Sequence, residues 1–95
     1  MDFQTLKTKY KDQILQIADI CSVENIRVFG SILKGRLTKE SDIDFLVHMK
    51  PNSGFAIGGL KWRLEELLGR KVDIVSDNSL HHLIKAKVLK EAVYL

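Results

Sequence analysis

The chain is short of several features that would place it outside the cell or in a membrane. It has one cysteine, Cys21, which excludes an internal disulfide and a cysteine-built zinc cluster. No apolar run approaches the roughly 18 residues of a membrane span. The opening segment MDFQTLKTKYKDQ lacks the apolar stretch of a signal peptide. There is one proline, Pro51, and no internal repeat, low-complexity tract or linker. Charge of one sign is scarce too. Fifteen basic residues face twelve acidic ones, a net +3. With no dense basic stripe, direct nucleic-acid binding is not expected. These absences fit a cytoplasmic protein with no membrane association. What is plentiful is apolar: 45% of the residues are hydrophobic, enough for a modest core in a single domain spanning residues 1–95.

The apolar pattern divides the chain. Phe3, Leu6, Tyr10, Ile14, Ile17 and Cys21 recur at spacings of three and four, one face of a helix over residues 3–21. Asp2 is its expected N-cap, and Cys21 is expected to pack. Residues 26–29 read as a short buried strand, 31–36 as a short helix and 42–48 as a second strand. Pro51, Asn52, Ser53 and Gly54 form a turn cluster. A helix over 55–68 carries Leu60, Leu64, Leu67 and Leu68 and stops at Gly69. A third strand spans 72–75. A last helix over 80–92 is offered caps by Asp77, Asn78 and Ser79. The connection from Gly30 to Asp42 is too short for a crossover helix, so the first two strands are expected to be antiparallel. The helix over 55–68 allows the second and third to be parallel. The expected fold is α/β (α+β): a three-stranded mixed sheet backed by about four helices.

The chemistry concentrates in GSILKGRLTKESDIDFLV, residues 30–47. In a strand, Asp42 and Asp44 share a face while Ile43, Phe45 and Val47 take the other. The two carboxylates then stand ~7 Å apart along the backbone, at a rise of roughly 3.3 Å per residue. Aspartate is depleted in strands, so the pair reads as a ligand set for Mg²⁺, with a solvated edge strand carrying two exposed aspartates as the alternative. Gly30 allows a sharp turn, and Ser31, if it opens a helix, offers amides to a phosphate. Lys34 and Arg36 have two readings: cations that reach phosphate oxygens, or ordinary solvated charges on the short helix. Leu37 stands where a P-loop needs a hydroxyl, which argues against that motif. His48 is expected at an edge or surface. Trp62 is expected in a core or interface, with base stacking as the alternative. Adjacent His81 and His82 diverge and are a poor metal pair.

Gly30-Ser31, ten residues, then Asp42-Ile43-Asp44 resembles the motif of the DNA polymerase beta-type nucleotidyltransferase superfamily. The matching positions are Gly30, Ser31, Lys34, Gly35, Ser41, Asp42, Ile43, Asp44 and Val47. The tail EELLGRKVDIVSDNSLHHLIKAKVLKEAVYL resembles the minimal nucleotidyltransferase (MNT) branch, the antitoxins encoded beside HEPN-domain toxins. The resemblance implies a nucleotidyltransferase core. It implies metal-binding and catalytic roles for Asp42, Asp44 and, on the third strand, Asp73. It implies nucleotide contacts from Gly30, Ser31, Lys34, Gly35 and Arg36. Two Mg²⁺ ions, ATP as substrate, and transfer of AMP to a tyrosine of a HEPN RNase toxin follow from it, as does a hetero-oligomer with that toxin. Masking of the toxin without chemistry and transfer to a small hydroxylated acceptor are the other readings. One position departs from the family pattern: Ile32 stands where many members carry arginine.

Overall fold

The computed structural model describes residues 1–51, 56–78 and 80–95. Helix α1 (Phe3–Thr5) starts where the Asp2 carboxylate accepts a hydrogen bond from the Thr5 amide at 2.7 Å, the cap expected from the sequence. A π-helical turn (Leu6–Tyr10) joins it to α2 (Lys11–Ile20). Strand β1 spans Val23–Phe29, β2 Ile43–Met49 and β3 Val72–Ser76. Helix α3 (Ala56–Leu68) joins β2 to β3, and α4 (His82–Glu91) leads from β3 to a fourth strand, β4 (Val93–Tyr94). No described helix is long and apolar enough to cross a membrane.

The sheet runs β3-β2-β1-β4. β1 and β2 are antiparallel, and β2 and β3 are parallel, both as the connection lengths dictate. The sheet has four strands rather than the expected three, within the same mixed α/β class. β4 pairs with β1 only at Arg27↔Tyr94 and Val28↔Val93, and two residues leave no strand periodicity to detect. β1 also starts three residues earlier than the sequence suggests. A bulge between Glu24 and Arg27, with Asn25 at φ +52°, places Val23 and Ile26 on the buried side. That spacing of three breaks the strand alternation.

Ile43, Phe45 and Val47 from β2, Val28 from β1 and Val72 from β3 form the sheet's contribution to the core. Leu6, Ile14 and Ala18 cover it from the first helical stretch, and Leu60, Leu64 and Leu68 from α3. Cys21 is buried among them, as expected. Gly69 ends α3 at φ +66°, a left-handed cap that a Cβ would disfavour. The short helix expected over 31–36 is a single 3-10 turn, Gly30–Ile32. The amides of Leu33 and Lys34 close on the Gly30 and Ser31 carbonyls, and that of Arg36 on Ser31, so the chain turns instead of propagating. α4 starts at His82, later than expected. Its cap is His81, whose Nδ1 accepts from the Leu83 amide. Asn52, Ser53, Gly54 and Phe55 of the expected turn and helix start, and the expected cap Ser79, lie outside the described residues. Trp62 stands 58% exposed rather than in the core.

Candidate active site

The face of the sheet opposite the core carries the polar chemistry. On β2, Asp44 follows Ile43, so alternation turns it to that face. In-register parallel pairing sets Asp44 directly beside Asp73. Asp44 also pairs across to Phe29, the residue before Gly30. Asp42 sits on the exposed approach to β2, one residue outside the strand. The two aspartates of the motif and the third one on β3 are thus gathered at one end of the sheet.

Gly30 is required there by space as well as by conformation. Its φ is +78°, and a Cβ built on it would lie 2.5 Å from Asp44 Oδ2. The missing side chain is where the Asp44 carboxylate rests. Asp44 is half-buried, and its carboxyl is held above the usual carboxylate range. Burial is the largest cause, followed by the charges of Asp73 and then Asp42. A carboxylate that resists ionisation because it is buried, and then because two others crowd it, gains from a cation placed among the three. Among the described residues no three His, Cys, Asp or Glu side chains close around one point as a finished cage. Mg²⁺ does not need one. It is ordinarily held by one or two carboxylates together with substrate phosphates and waters, and Asp42, Asp44 and Asp73 fit that use.

Two connections fix these carboxylates, and of the residues that close them only Ser41 belongs to the motif. Before β2, the Thr38 amide donates to Ser41 Oγ at 3.0 Å and the Ser41 amide to the Thr38 carbonyl at 3.2 Å. This closes the turn that delivers Asp42. Before β3, Glu65 Oε2 accepts from the Val72 amide at 3.1 Å, and the Ile43 amide donates to the Lys71 carbonyl at 3.2 Å. Arg70 Nη2 donates to the Thr38 carbonyl at 2.6 Å and fastens one loop to the other. Glu65, Thr38 and Arg70 are the positioning residues that sequence reasoning missed. Their roles depend on a contact across 32 residues for Thr38–Arg70, and on a side chain reaching past a helix end for Glu65.

Ser31 is half-buried on the turn after Gly30, and Lys34, Gly35 and Arg36 are exposed beyond it. Gly35 has φ +65° and open space around it. Ile32 is a core residue, 3% exposed, so its side chain does not face the site. His48, also on the polar face, is half-buried, and its Nδ1 lies 2.9 Å from Asp77 Oδ1. Arg27 stands 4.0 Å from Asp77, donates through Nη2 to the Tyr94 hydroxyl, and lies over the Tyr94 ring at 4.5 Å. This cluster ties β1, β2, β4 and the segment after β3 together at the end of the sheet away from Asp42. His81 and His82 stack on each other at the start of α4, 4.6 Å between ring centres.

A model of the nucleotidyltransferase domain family matches residues 8–95. Protein adenylyltransferase MntA of Thermococcus cleftensis is 34% identical over 95 residues, covering 99% of this chain and 93% of its own. A solved structure described provisionally as a minimal nucleotidyltransferase is 35% identical, covers 100% of this chain and 97% of its own, and superposes with a TM-score of 0.88. The crystal structure of a toxin–antitoxin with AMP-PNP shares the fold at a TM-score of 0.74. It is 23% identical and covers 90% of this chain and 71% of that one. A glycine that makes room for a strand carboxylate, and a second carboxylate beside it in register, thus stand on the fold of those proteins: the chain belongs to the nucleotidyltransferase domain family and is a minimal nucleotidyltransferase.

Proposed function

We propose that the protein is a Mg²⁺-dependent protein adenylyltransferase that transfers AMP from ATP to a tyrosine hydroxyl of a partner HEPN RNase toxin, and is thereby that toxin's antitoxin. The observation that carries the chemistry is the in-register pair Asp44 and Asp73 with Asp42 beside them, packed against a glycine that admits Asp44. The name of the T. cleftensis relative supports adenylyl transfer. The toxin–antitoxin with AMP-PNP, an ATP analogue, supports both the nucleotide and a toxin partner.

Asp42, Asp44 and Asp73 would hold the metal, which supplies positive charge against the phosphoryl oxygens when bound. The Ser31 hydroxyl, on the turn beside Asp44, holds the β- and γ-phosphates, with Lys34 and Arg36 reaching them from solvent. Asp73, exposed at the edge strand, orients the acceptor hydroxyl and takes its proton. The acceptor oxygen then attacks the α-phosphorus. The bond from that phosphorus to the bridging oxygen breaks, and pyrophosphate leaves with the electron pair. The product is a phosphodiester between the acceptor and AMP.

The test is catalytic economy. Substoichiometric protein with Mg²⁺ and ATP should silence excess toxin, which gains the mass of AMP and stays silent after the protein is removed. Asp42→Asn with Asp44→Asn should still bind the toxin yet leave it unmodified. Inhibition that needs equimolar protein, ignores ATP and survives the double substitution would replace transfer with masking.

A further inference from the structure

A second polar feature adjoins the carboxylates. Lys39, Glu40 and Ser41 before β2, and Gly69, Arg70 and Lys71 before β3, line a cleft of about 370 Å³. Its walls lead directly into Asp42 on one side and Val72-Asp73 on the other. Three cations and one carboxylate give the lining a charge of +2. Among the described residues, none of Lys39, Arg70 and Lys71 has a carboxylate within 4.0 Å. Arg70 spends one N–H on the Thr38 carbonyl, which holds the guanidinium in the wall.

The position of the cleft says which anion it faces. Gly30 and Ser31 follow β1, on one side of Asp44, while the cleft opens between β2 and β3, on the other. In an in-line displacement the attacking and leaving oxygens stand on opposite sides of the phosphorus. Pyrophosphate departing on the Gly30–Ser31 side puts the incoming hydroxyl on the β3 side, over the cleft. We infer that the cleft of Lys39, Arg70 and Lys71 receives an acidic segment flanking the acceptor tyrosine, and that it selects acceptors by that negative charge. Without these cations, the three carboxylates of the site would repel such a segment. The inference rests on the protein-acceptor reading above and adds the chemical class of the acceptor sequence.

Three synthetic tyrosine peptides test it: one flanked on both sides by glutamates, one by glutamines and one by lysines. Each is assayed for AMP incorporation with Mg²⁺ and ATP. The wild type should prefer the glutamate peptide through a lower KM at similar kcat, and 0.5 M NaCl should erase the preference by screening. Lys39→Glu with Lys71→Glu should raise KM for the glutamate peptide roughly tenfold, as expected for two exposed charges reversed, and lower it for the lysine peptide. Lys39→Gln with Lys71→Gln should fall between. Melting curves confirm that both variants fold. Calorimetric affinity for ATP with Mg²⁺ should not change in either. A variant that loses ATP affinity instead shows that the cleft takes the triphosphate, and overturns the inference. Equal KM values for the three peptides, or no modification of any of them by a wild type that binds ATP, also refute it. A wild type that binds no ATP overturns the transferase reading first.

Discussion

Replacing Gly30 by alanine separates two demands on one residue. The first is conformational: φ +78° costs a residue with a Cβ about 1–2 kcal/mol. The second is spatial. The new Cβ would stand 2.5 Å from Asp44 Oδ2, where real contacts begin at 3.0 Å. The carboxylate must therefore retreat by about 0.5 Å. Gly35 supplies the control, because it has φ +65° and nothing within 4 Å of its Cβ position. Both substitutions should cost similar stability, roughly 5–15 °C in Tm at about 4–8 °C per kcal/mol for a domain of this size. Only Gly30→Ala should damage the site. A displacement of about 1 Å costs on the order of a hundredfold in rate, so about half of that distance should cost roughly tenfold. Thermal melts, calorimetry with ATP and Mg²⁺, and initial rates of AMP incorporation measure the three effects. If Gly30→Ala and Gly35→Ala lose the same stability and both keep wild-type transfer, the contact with Asp44 has no catalytic meaning.

Asp44→Asn should make the metal-free protein more stable at pH 7. The Asp44 carboxyl is raised by burial and by Asp73 and Asp42, so its contribution to stability is fully present below its unfolded pKa. That contribution is lost as pH rises through the raised folded value. The gain should shrink toward pH 4, and a wild type that melts higher at pH 7 in EDTA would contradict it. Asp73 is exposed, so Asp73→Asn should leave stability within about 0.5 kcal/mol and bind ATP while abolishing transfer. A large fall in Tm with transfer intact would make Asp73 structural. Tyr94→Phe keeps the ring under Arg27 but removes the hydroxyl it donates to, and should cost about 1 kcal/mol by denaturant titration. No loss would mean that the Arg27–Tyr94 bond does not hold β4.

The parts of the fold legible in the sequence are those set by short-range rules. Alternation gave Ile43, Phe45 and Val47 to the core and Asp44 to the other face. Connection length set the directions of the first three strands, and the spacing of Leu60, Leu64 and Leu68 marked α3. What could not be read depends on partners distant in sequence. β4 exists through Arg27, 67 residues before Tyr94. The bulge at Asn25 hides half of β1 behind a spacing of three. The π-turn at Leu6–Tyr10 passes unseen because Phe3, Leu6, Tyr10 and Ile14 keep helical spacing through it. At the site, the aspartates and Gly30 were legible as residues. That Gly30 makes room for Asp44 was not, since it follows from the pairing of β1 with β2. The roles of Lys34 and Arg36 remain those proposed, as exposed side chains next to the Gly30–Ser31 turn.

The in-register neighbours Asp44 and Asp73 make the alignment of β2 with β3 a chemical parameter. Side chains alternate along a strand, so a slip of one residue would turn Asp73 toward the helices and bring Val72 and Ile74 out beside Asp44. Glu65 on the Val72 amide and the left-handed Gly69 determine where β3 starts. Neither touches the carboxylates through its side chain, yet both count residues for them. A single deletion among residues 69–71 would leave the composition of the site unchanged and dismantle it. Restoring one residue to that loop, with glycine kept at 69 and arginine at 70, would rebuild it.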